Sequence, residues 1–150
     1  MNKYIDKSLK LTDHFSLSEM CSTSVQTADH NFPSQEVITN LRRLCGWLEN
    51  LRSRVAAPIY INSGYRSPAV NKAVGGVATS NHLTGCAADI RCTGLEQAIR
   101  YAAYLLDISK ERGEAFDEIL IEHRAKTGNY WVHFAVRPNN NRKKVKIINL

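Results

Sequence analysis

The chain has 150 residues, of which 43% are hydrophobic and 23% are charged. These values are typical of one globular domain and exclude a disordered chain, a fibrous repeat and a disulfide-dense miniprotein. No stretch approaches the roughly 20 apolar residues that a bilayer-spanning helix needs. The net charge of +6 falls to +1 without five basic residues near the C-terminus, which are Arg137, Arg142, Lys143, Lys144 and Lys146.

The organisation predicted from this pattern is a single domain over residues 1–150, in which residues 138–150 form a basic tail. The first residues contain no apolar leader segment. We therefore expect synthesis in the cytoplasm, release or export by another route, and a monomer. The four cysteines form no CxxC pair and are expected to be reduced, with a Cys86–Cys92 bridge as the alternative.

The first half of the chain is predicted to contain one long helix. Residues 1–32 read as loop with one helical turn, and Pro33-Ser34 then opens the helix. Apolar residues recur at helical spacing up to Val55, and Ala57-Pro58 closes the segment. A short strand over residues 59–61 then leads into a structured loop.

The second half is predicted to contain a short strand over residues 87–92 and a second helix. A capping box of Thr93 and Glu96 opens this helix, and Gly113 ends it. Its predicted buried stripe consists of Leu95, Ala98, Ile99, Ala102, Leu105 and Leu106.

Two further strands are predicted over residues 116–123 and 130–137, joined by a hairpin loop, and residues 145–150 add an edge strand. The order of helix, strand, loop, strand, helix and hairpin favours an α+β domain. We expect a small, mostly antiparallel sheet with the helices packed on one side.

Three residues form a candidate metal site. His82 leaves a loop, and Asp89 follows seven residues later on a predicted strand after small residues. His133 lies in a strand that is otherwise aromatic and β-branched, where a polar side chain needs a reason. Imidazole and carboxylate both suit zinc, and three protein ligands leave a position for water, as in catalytic sites. The alternatives are a hydrogen-bonded core histidine at position 133, and an Asp89 that caps the next helix or pairs with an arginine.

Three blocks of sequence resemble the zinc D-alanyl-D-alanine peptidase superfamily, which includes D,D-carboxypeptidases, vancomycin-resistance dipeptidases, phage endolysins and the hedgehog signalling domain. Residues 80–89 are similar to its S-x-H-x-x-G-x-A-x-D signature, and residues 131–133 to its W-x-H block. Residues 63–71 resemble the S-G-[YF]-R-S-x-x-x-N block upstream. His14–Met20 is similar to the opening of the short branch found in phages and prophages. The resemblance covers residues 14–137.

The resemblance implies a hedgehog/D,D-peptidase-like fold and a bound zinc ion held by His82, Asp89 and His133. It implies that Arg66 contacts the carbonyl or carboxylate of the substrate, with a structural ion pair as the alternative. It also makes Ser80 a candidate that either touches substrate or orients the ligand loop, although this residue equally suits a turn.

One position departs from the family. The carboxypeptidases and dipeptidases carry an acid, the general base, three residues before the last histidine, where this chain has Tyr130. A phenol with a pKa of about 10 is a poor base near neutral pH. Glu122 on the preceding strand is the leading substitute, and the short phage-type branch tends to carry an acid on this strand. A solvated strand face or a salt bridge is the alternative for Glu122.

The sequence thus predicts a zinc-dependent peptidase of peptidoglycan stem peptides, either a D-Ala-D-Ala carboxypeptidase or an endolysin-type endopeptidase. The tyrosine at position 130 favours a second hypothesis, a zinc-containing module that binds the cell wall without turnover. A basic nucleic-acid-binding domain ranks last, because only the tail supports it and no basic stripe with exposed aromatics crosses the body.

Overall fold

The computed structural model describes residues 6–150 of the chain. Residues 1–5, which belong to the segment read as loop, lie outside the described residues. The described N-terminal part contains a small hairpin of strands β1 (Lys10–Thr12) and β2 (Phe15–Ser16), followed by the short helix α1 (Leu17–Met20). This segment therefore has the predicted helical turn and also two strands that the sequence pattern did not indicate.

The long helix α2 spans Gln35–Val55, as the apolar spacing predicts. The Ser34 hydroxyl accepts a hydrogen bond from the amide of Val37, which satisfies one free donor at the helix N-terminus. The helix ends at Ala56, which adopts a left-handed conformation with φ of 56°. Its apolar stripe is buried up to Leu51 and partly buried at Val55, and Trp47 packs against Phe134 of the sheet with ring centroids 5.4 Å apart.

The segment after α2 corrects one predicted boundary. Strand β3 spans Ile61–Ser63 rather than residues 59–61, since its register with β4 begins at Ile61. Helix α3 (Pro68–Ala73) and a 3-10 turn (Asn81–Thr84) follow β3.

Helix α4 spans Leu95–Arg112 and ends at Gly113, as predicted, but the predicted capping box is wrong. Gly94 is the N-cap, without a side-chain hydrogen bond, and the amide of Thr93 donates to the Gln97 side chain. The predicted buried stripe is only partly right, because Leu95, Ile99 and Leu106 are 40 to 50% exposed. The buried face keeps the predicted Ala98, Ala102 and Leu105 and is rotated to include Tyr101 and Ile108.

The main sheet contains five strands in the order β3-β4-β6-β5-β7. Strand β4 spans Ala87–Arg91, β5 spans Glu118–Arg124, β6 spans Asn129–Ala135 and β7 spans Lys144–Asn149. The first four strands pair antiparallel, whereas β7 runs parallel to β5. The fold is α+β with a mixed, mostly antiparallel sheet, which confirms the predicted class.

The two faces of this sheet differ in chemistry because successive strand side chains point to opposite faces. One face carries apolar residues into the core beneath α2 and α4, including Ile90, Val132 and Phe134. The other carries Asp89, His133, Glu118 and Glu122. The strand alternation therefore places these ionisable groups together, away from the helices.

The cysteines, the helices and the C-terminal segment can each be compared with what the sequence predicts. All four cysteines are free thiols, and Cys86 and Cys92 are not bridged. None of the helices within residues 6–150 is both long and apolar enough to cross a bilayer. The C-terminal basic segment contributes β7, so part of it belongs to the folded sheet.

Candidate metal centre and active site

Two glycines fix the backbone around His82, Gly64 directly after β3 and Gly85 at the end of the 3-10 turn. A side chain at Gly64 would lie 2.3 Å from the carbonyl oxygen of Met20, so only glycine fits there. Gly85 ends the 3-10 turn with φ of 75°, in the left-handed region that favours glycine. The Ser80 hydroxyl caps this turn by accepting a hydrogen bond from the His82 amide at 3.2 Å. This contact gives Ser80 a part in orienting the ligand loop, which is one of the roles expected for it.

His82 is 3% exposed, and its ring orientation is set by the backbone. Its Nδ1 donates a hydrogen bond to the carbonyl oxygen of Gly64 at 2.7 Å. This bond places the proton on Nδ1 and leaves the lone pair of Nε2 free. Nε2 lies 3.4 Å from Oδ1 of Asp89, so the free nitrogen faces the carboxylate.

Asp89 and His133 are directly opposite each other across the β4-β6 pair. Oδ1 of Asp89 lies 3.1 Å from Nδ1 of His133. Burial alone would raise the pKa of Asp89, but the imidazole of His82 and the hydrogen bond to His133 hold that pKa well below its ordinary value. Asp89 is therefore ionised over the ordinary pH range and faces both imidazoles.

Glu118 lies on the other side of the His133 ring. Its Oε1 is 3.0 Å from Nε2 of His133, which donates to it. Burial lowers the pKa of His133, but the two carboxylates outweigh this effect and raise it to about 10. The two carboxylates thus strongly favour a positive charge on the His133 ring, and Nδ1 is the ring nitrogen that faces Asp89. A metal cation can satisfy this preference in place of the proton.

The residues present fit a zinc ion. The cluster offers two imidazole nitrogens and a carboxylate oxygen, all within 4.8 Å of one another. Two ligands at about 2.0–2.1 Å from one zinc in tetrahedral geometry lie about 3.3 Å apart, close to the two separations measured from Asp89. Each histidine also has a partner on its second nitrogen, as zinc-binding histidines almost always do.

Arg66 reaches the same cluster from the loop after β3. Its Nε donates to the Ser63 hydroxyl at 3.1 Å, and one terminal nitrogen lies 3.4 Å from Oδ2 of Asp89. The guanidinium therefore contacts the carboxylate oxygen that does not face the histidines. This contact is the structural ion pair given above as the alternative for Arg66. It is also the arginine pairing given as an alternative for Asp89.

Glu122 lies opposite Trp131 in the β5-β6 register, on the His133 face of the sheet. Its Oε1 is 3.9 Å from Nδ1 of His133, the nitrogen that faces Asp89. Burial and the nearby charge of Asp89 raise its pKa above the ordinary glutamate value. Tyr130 has the opposite orientation and stacks on His123 with ring centroids 4.1 Å apart. The carboxylate close to the candidate site is thus Glu122, whereas the phenol faces away.

A buried polar network supports Glu118. Neither this network nor Glu118 is among the site residues predicted from the sequence. Asp117 is fully buried and accepts hydrogen bonds from Arg142 and Asn81 at 2.8 Å. Asn81 also donates to Glu118 at 2.8 Å, and Arg137 donates to Asn81. Arg142 of the basic C-terminal segment and the preceding Arg137, whose Nε lies 3.3 Å from Oδ2 of Asp117, therefore neutralise a buried acid. The sequence does contain a sign of this network. Two adjacent acids, Asp117 and Glu118, begin a predicted strand, and two arginines, Arg137 and Arg142, follow later in the chain.

Comparison with known proteins identifies the family. A model of the family described as Peptidase M15 matches residues 13–127, more than half of the chain. The chain belongs to the peptidase M15 family. This confirms the resemblance to the zinc D-Ala-D-Ala peptidases that the sequence blocks carry, and it makes a peptidase the function class. No curated protein matches the chain significantly.

The M15 match contains His82 and Asp89 and ends before His133. The third candidate ligand therefore depends on the geometry of the sheet rather than on the family match. Because Asp89 and His133 face each other in the β4-β6 register, the strand pairing brings His133 to the two candidate ligands inside the matched region.

Proposed function

We propose that this M15 peptidase is a zinc metallopeptidase that hydrolyses peptide bonds in peptidoglycan stem peptides. The observation that carries the proposal is the convergence of His82, Asp89 and His133, with a further carboxylate 3.9 Å from the metal-facing nitrogen of His133. Two histidines and one carboxylate are a ligand set typical of catalytic zinc, which keeps a position open.

In this proposal the chain supplies a preorganised ligand set. His82 and His133 would hold the metal through Nε2 and Nδ1, because Gly64 and Glu118 engage their other nitrogens. Asp89 would add the negative charge that offsets the cation. A zinc ion bound here supplies Lewis acidity to the scissile carbonyl and lowers the pKa of water.

Glu122 is assigned as the general base. A base must accept a proton from the attacking water and donate one to the leaving amine, so its pKa should lie near the working pH. Burial shifts the pKa of Glu122 in this direction. Glu118 is the competing acid on the same face, but His133, Asn81 and Arg142 engage its carboxylate, and the hydrogen bond from His133 lowers its pKa. Glu118 therefore orients the ligand, which leaves Glu122 to transfer protons.

Arg66 is assigned to substrate binding and to stabilisation of charge on the reacting carbonyl. Its side chain is 19% exposed, so its charge is only partly screened by water. Ser63 and Asp89 fix two sides of the guanidinium, and its remaining N–H groups are available to a substrate oxygen. Ser80 stays a candidate for a further substrate contact.

The setting proposed for this activity is a phage or prophage lysis enzyme, or a bacterial enzyme that remodels the wall, which acts there after release or export. The two substrate alternatives are the terminal D-Ala-D-Ala bond, cut by a carboxypeptidase, and an internal stem-peptide or cross-bridge bond, cut by an endopeptidase. Their products differ in mass, so one experiment separates them.

The test is digestion of purified peptidoglycan by zinc-loaded protein, followed by mass spectrometry of the muropeptides. We expect new peptide termini from the parent protein and none from His133→Ala. Loss of a single D-alanine identifies the carboxypeptidase, and internal cleavage identifies the endopeptidase. Co-sedimentation with peptidoglycan without any new product would contradict the proposal and favour the zinc-containing binding module.

A further inference from the structure

The sheet face that carries the candidate metal site continues into a second cleft of about 450 Å³ beyond Asp89. The residues that matter for its chemistry are Asn62, Arg91, Arg124, Asn129 and Trp131. We refer to these five residues as the arginine cleft. Because Asp89 lines the same cavity, the arginine cleft is continuous with the metal site rather than a separate surface feature.

The strand register places the two arginines on either side of Trp131. Arg91 pairs directly with Trp131 across β4-β6, and Arg124 pairs with Asn129 across β5-β6. The Arg124 guanidinium lies 5.6 Å from the centre of the Trp131 ring, a cation–π contact that orients it. Two positive groups thus flank an indole on the side of the sheet that carries Asp89 and His133.

Neither arginine is neutralised by an acid within residues 6–150. Arg91 donates through Nε to the side-chain oxygen of Asn62 at 3.3 Å, and its other nearby partner is the ring of Tyr60. Of the acids beside the metal site, Asp89 contacts Arg66 and Glu118 contacts His133, whereas Glu122 lies 3.9 Å from His133. The arginine cleft therefore presents unpaired positive charge next to a cluster of negative charge.

We propose that the arginine cleft binds a carboxylate of the substrate peptide on one side of the scissile bond. The inference rests on the proposed function and adds to it a preference for acidic peptides. A planar guanidinium binds a carboxylate through two parallel hydrogen bonds, and Asn62 and Asn129 add neutral hydrogen-bonding groups. The carboxylate has two sources, the C-terminus of a peptide or the free carboxyl group of an internal residue.

The experiment compares three forms of one synthetic stem peptide: with both carboxylates free, with the C-terminus amidated, and with the internal carboxylate amidated. The protein variants are Arg91→Gln and Arg124→Gln. Lys110→Gln is the matched control, because it removes one positive charge from the exposed surface of α4, on the other side of the sheet. For each combination of protein and peptide, kcat/KM is measured with zinc-loaded protein. Peptide affinity is measured by calorimetry on the same variants made in a Glu122→Gln background, which prevents cleavage during the titration.

We expect kcat/KM and affinity for the free peptide to fall at least about tenfold in each arginine variant, since a hydrogen bond to a charged group is lost. Lys110→Gln should match the parent. One amidated peptide should be a poor substrate of the parent and be little affected by the arginine substitutions, which identifies the source of the carboxylate.

Two results would overturn the inference while leaving the proposed function intact. In the first, the parent cuts the peptides and the arginine variants keep its preference for the carboxylate form. In the second, the variants lose all three peptides equally, which assigns the arginines a structural role. A parent that cuts no stem peptide would instead overturn the proposed function, and the inference with it.

Discussion

Replacing Glu122 by Gln tests the assignment of the general base with the smallest change in shape. The substitution keeps the side-chain length and replaces the carboxylate by a neutral amide, which cannot accept and donate the transferred proton. A general base contributes roughly 10²-fold to 10⁴-fold to the rate. We therefore expect kcat to fall at least about 10²-fold, which corresponds to about 2.7 kcal/mol of barrier.

The structure indicates that this loss should occur without loss of the fold or the metal. Glu122 lies 3.9 Å from Nδ1 of His133, whereas Asp89 and Glu118 approach that ring at 3.1 and 3.0 Å. Its removal leaves all three candidate ligands and the orienting carboxylate in place. Burial and the charge of Asp89 outweigh the stabilising effect of His133 on the Glu122 carboxylate and raise its pKa, so a neutral side chain should be tolerated there.

The assay is release of muropeptide products at saturating zinc, with the metal content and the circular dichroism spectrum measured on the same sample. Glu96→Gln is the matched control, because Glu96 is 87% exposed on α4 and its ion pair among residues 6–150 is with the exposed Arg100. A Glu122→Gln protein that keeps its zinc and turns over within about threefold of the parent rate would refute the assignment of the base.

Three further predictions concern the residues around the site. Arg66→Lys keeps the charge but loses the planar fork, so kcat/KM should fall about tenfold or more, and unchanged kinetics in Arg66→Ala would show that the loop is only structural. Glu118→Gln should weaken zinc affinity roughly 10-fold to 100-fold in competition with a chelating dye, since it orients His133, and an unchanged affinity would contradict that role. Asp117→Asn should lower the free energy of unfolding by about 1.5–3 kcal/mol in urea titrations. Burial opposes ionisation of Asp117, but hydrogen bonds from Arg142 and Asn81 lower its pKa to about 2, so the parent should lose this stability as pH falls from about 4 to 2, a loss absent from the variant.

Local patterns predicted much of this fold, because helix periodicity and strand alternation are short-range signals. The long helix α2 follows directly from its apolar spacing and its serine cap, and β4 from a short run of small and apolar residues. Helix α4 shows the limit of this approach. Its apolar residues cover a wider face than the sheet and α2 can bury, so the packing rather than the sequence decides that Tyr101 and Ile108 are inside and Ile99 outside.

The candidate site shows the same division between local and long-range information. His82 and Asp89 are close in sequence, His133 is a polar side chain in an otherwise aromatic and β-branched strand, and the resemblance implies the same three ligands. Glu122 shares the His133 face because the β5-β6 register places it opposite Trp131, and a one-residue slip in that register would move it to the other face. The role of Glu118 and its support by Asp117, Asn81 and Arg142 depend on residues up to 37 positions apart. Spacing along the chain carries no signal for such contacts.

The central claim is that His82, Asp89 and His133 hold one zinc ion, and zinc stoichiometry tests it most directly. Parent protein and His133→Ala are equilibrated with excess zinc, freed of unbound metal and analysed by inductively coupled plasma mass spectrometry, with circular dichroism as the check on folding. The account predicts one zinc per parent chain and nearly none in a folded His133→Ala variant. Equal zinc in the two proteins, or no zinc in a correctly folded parent, would contradict it.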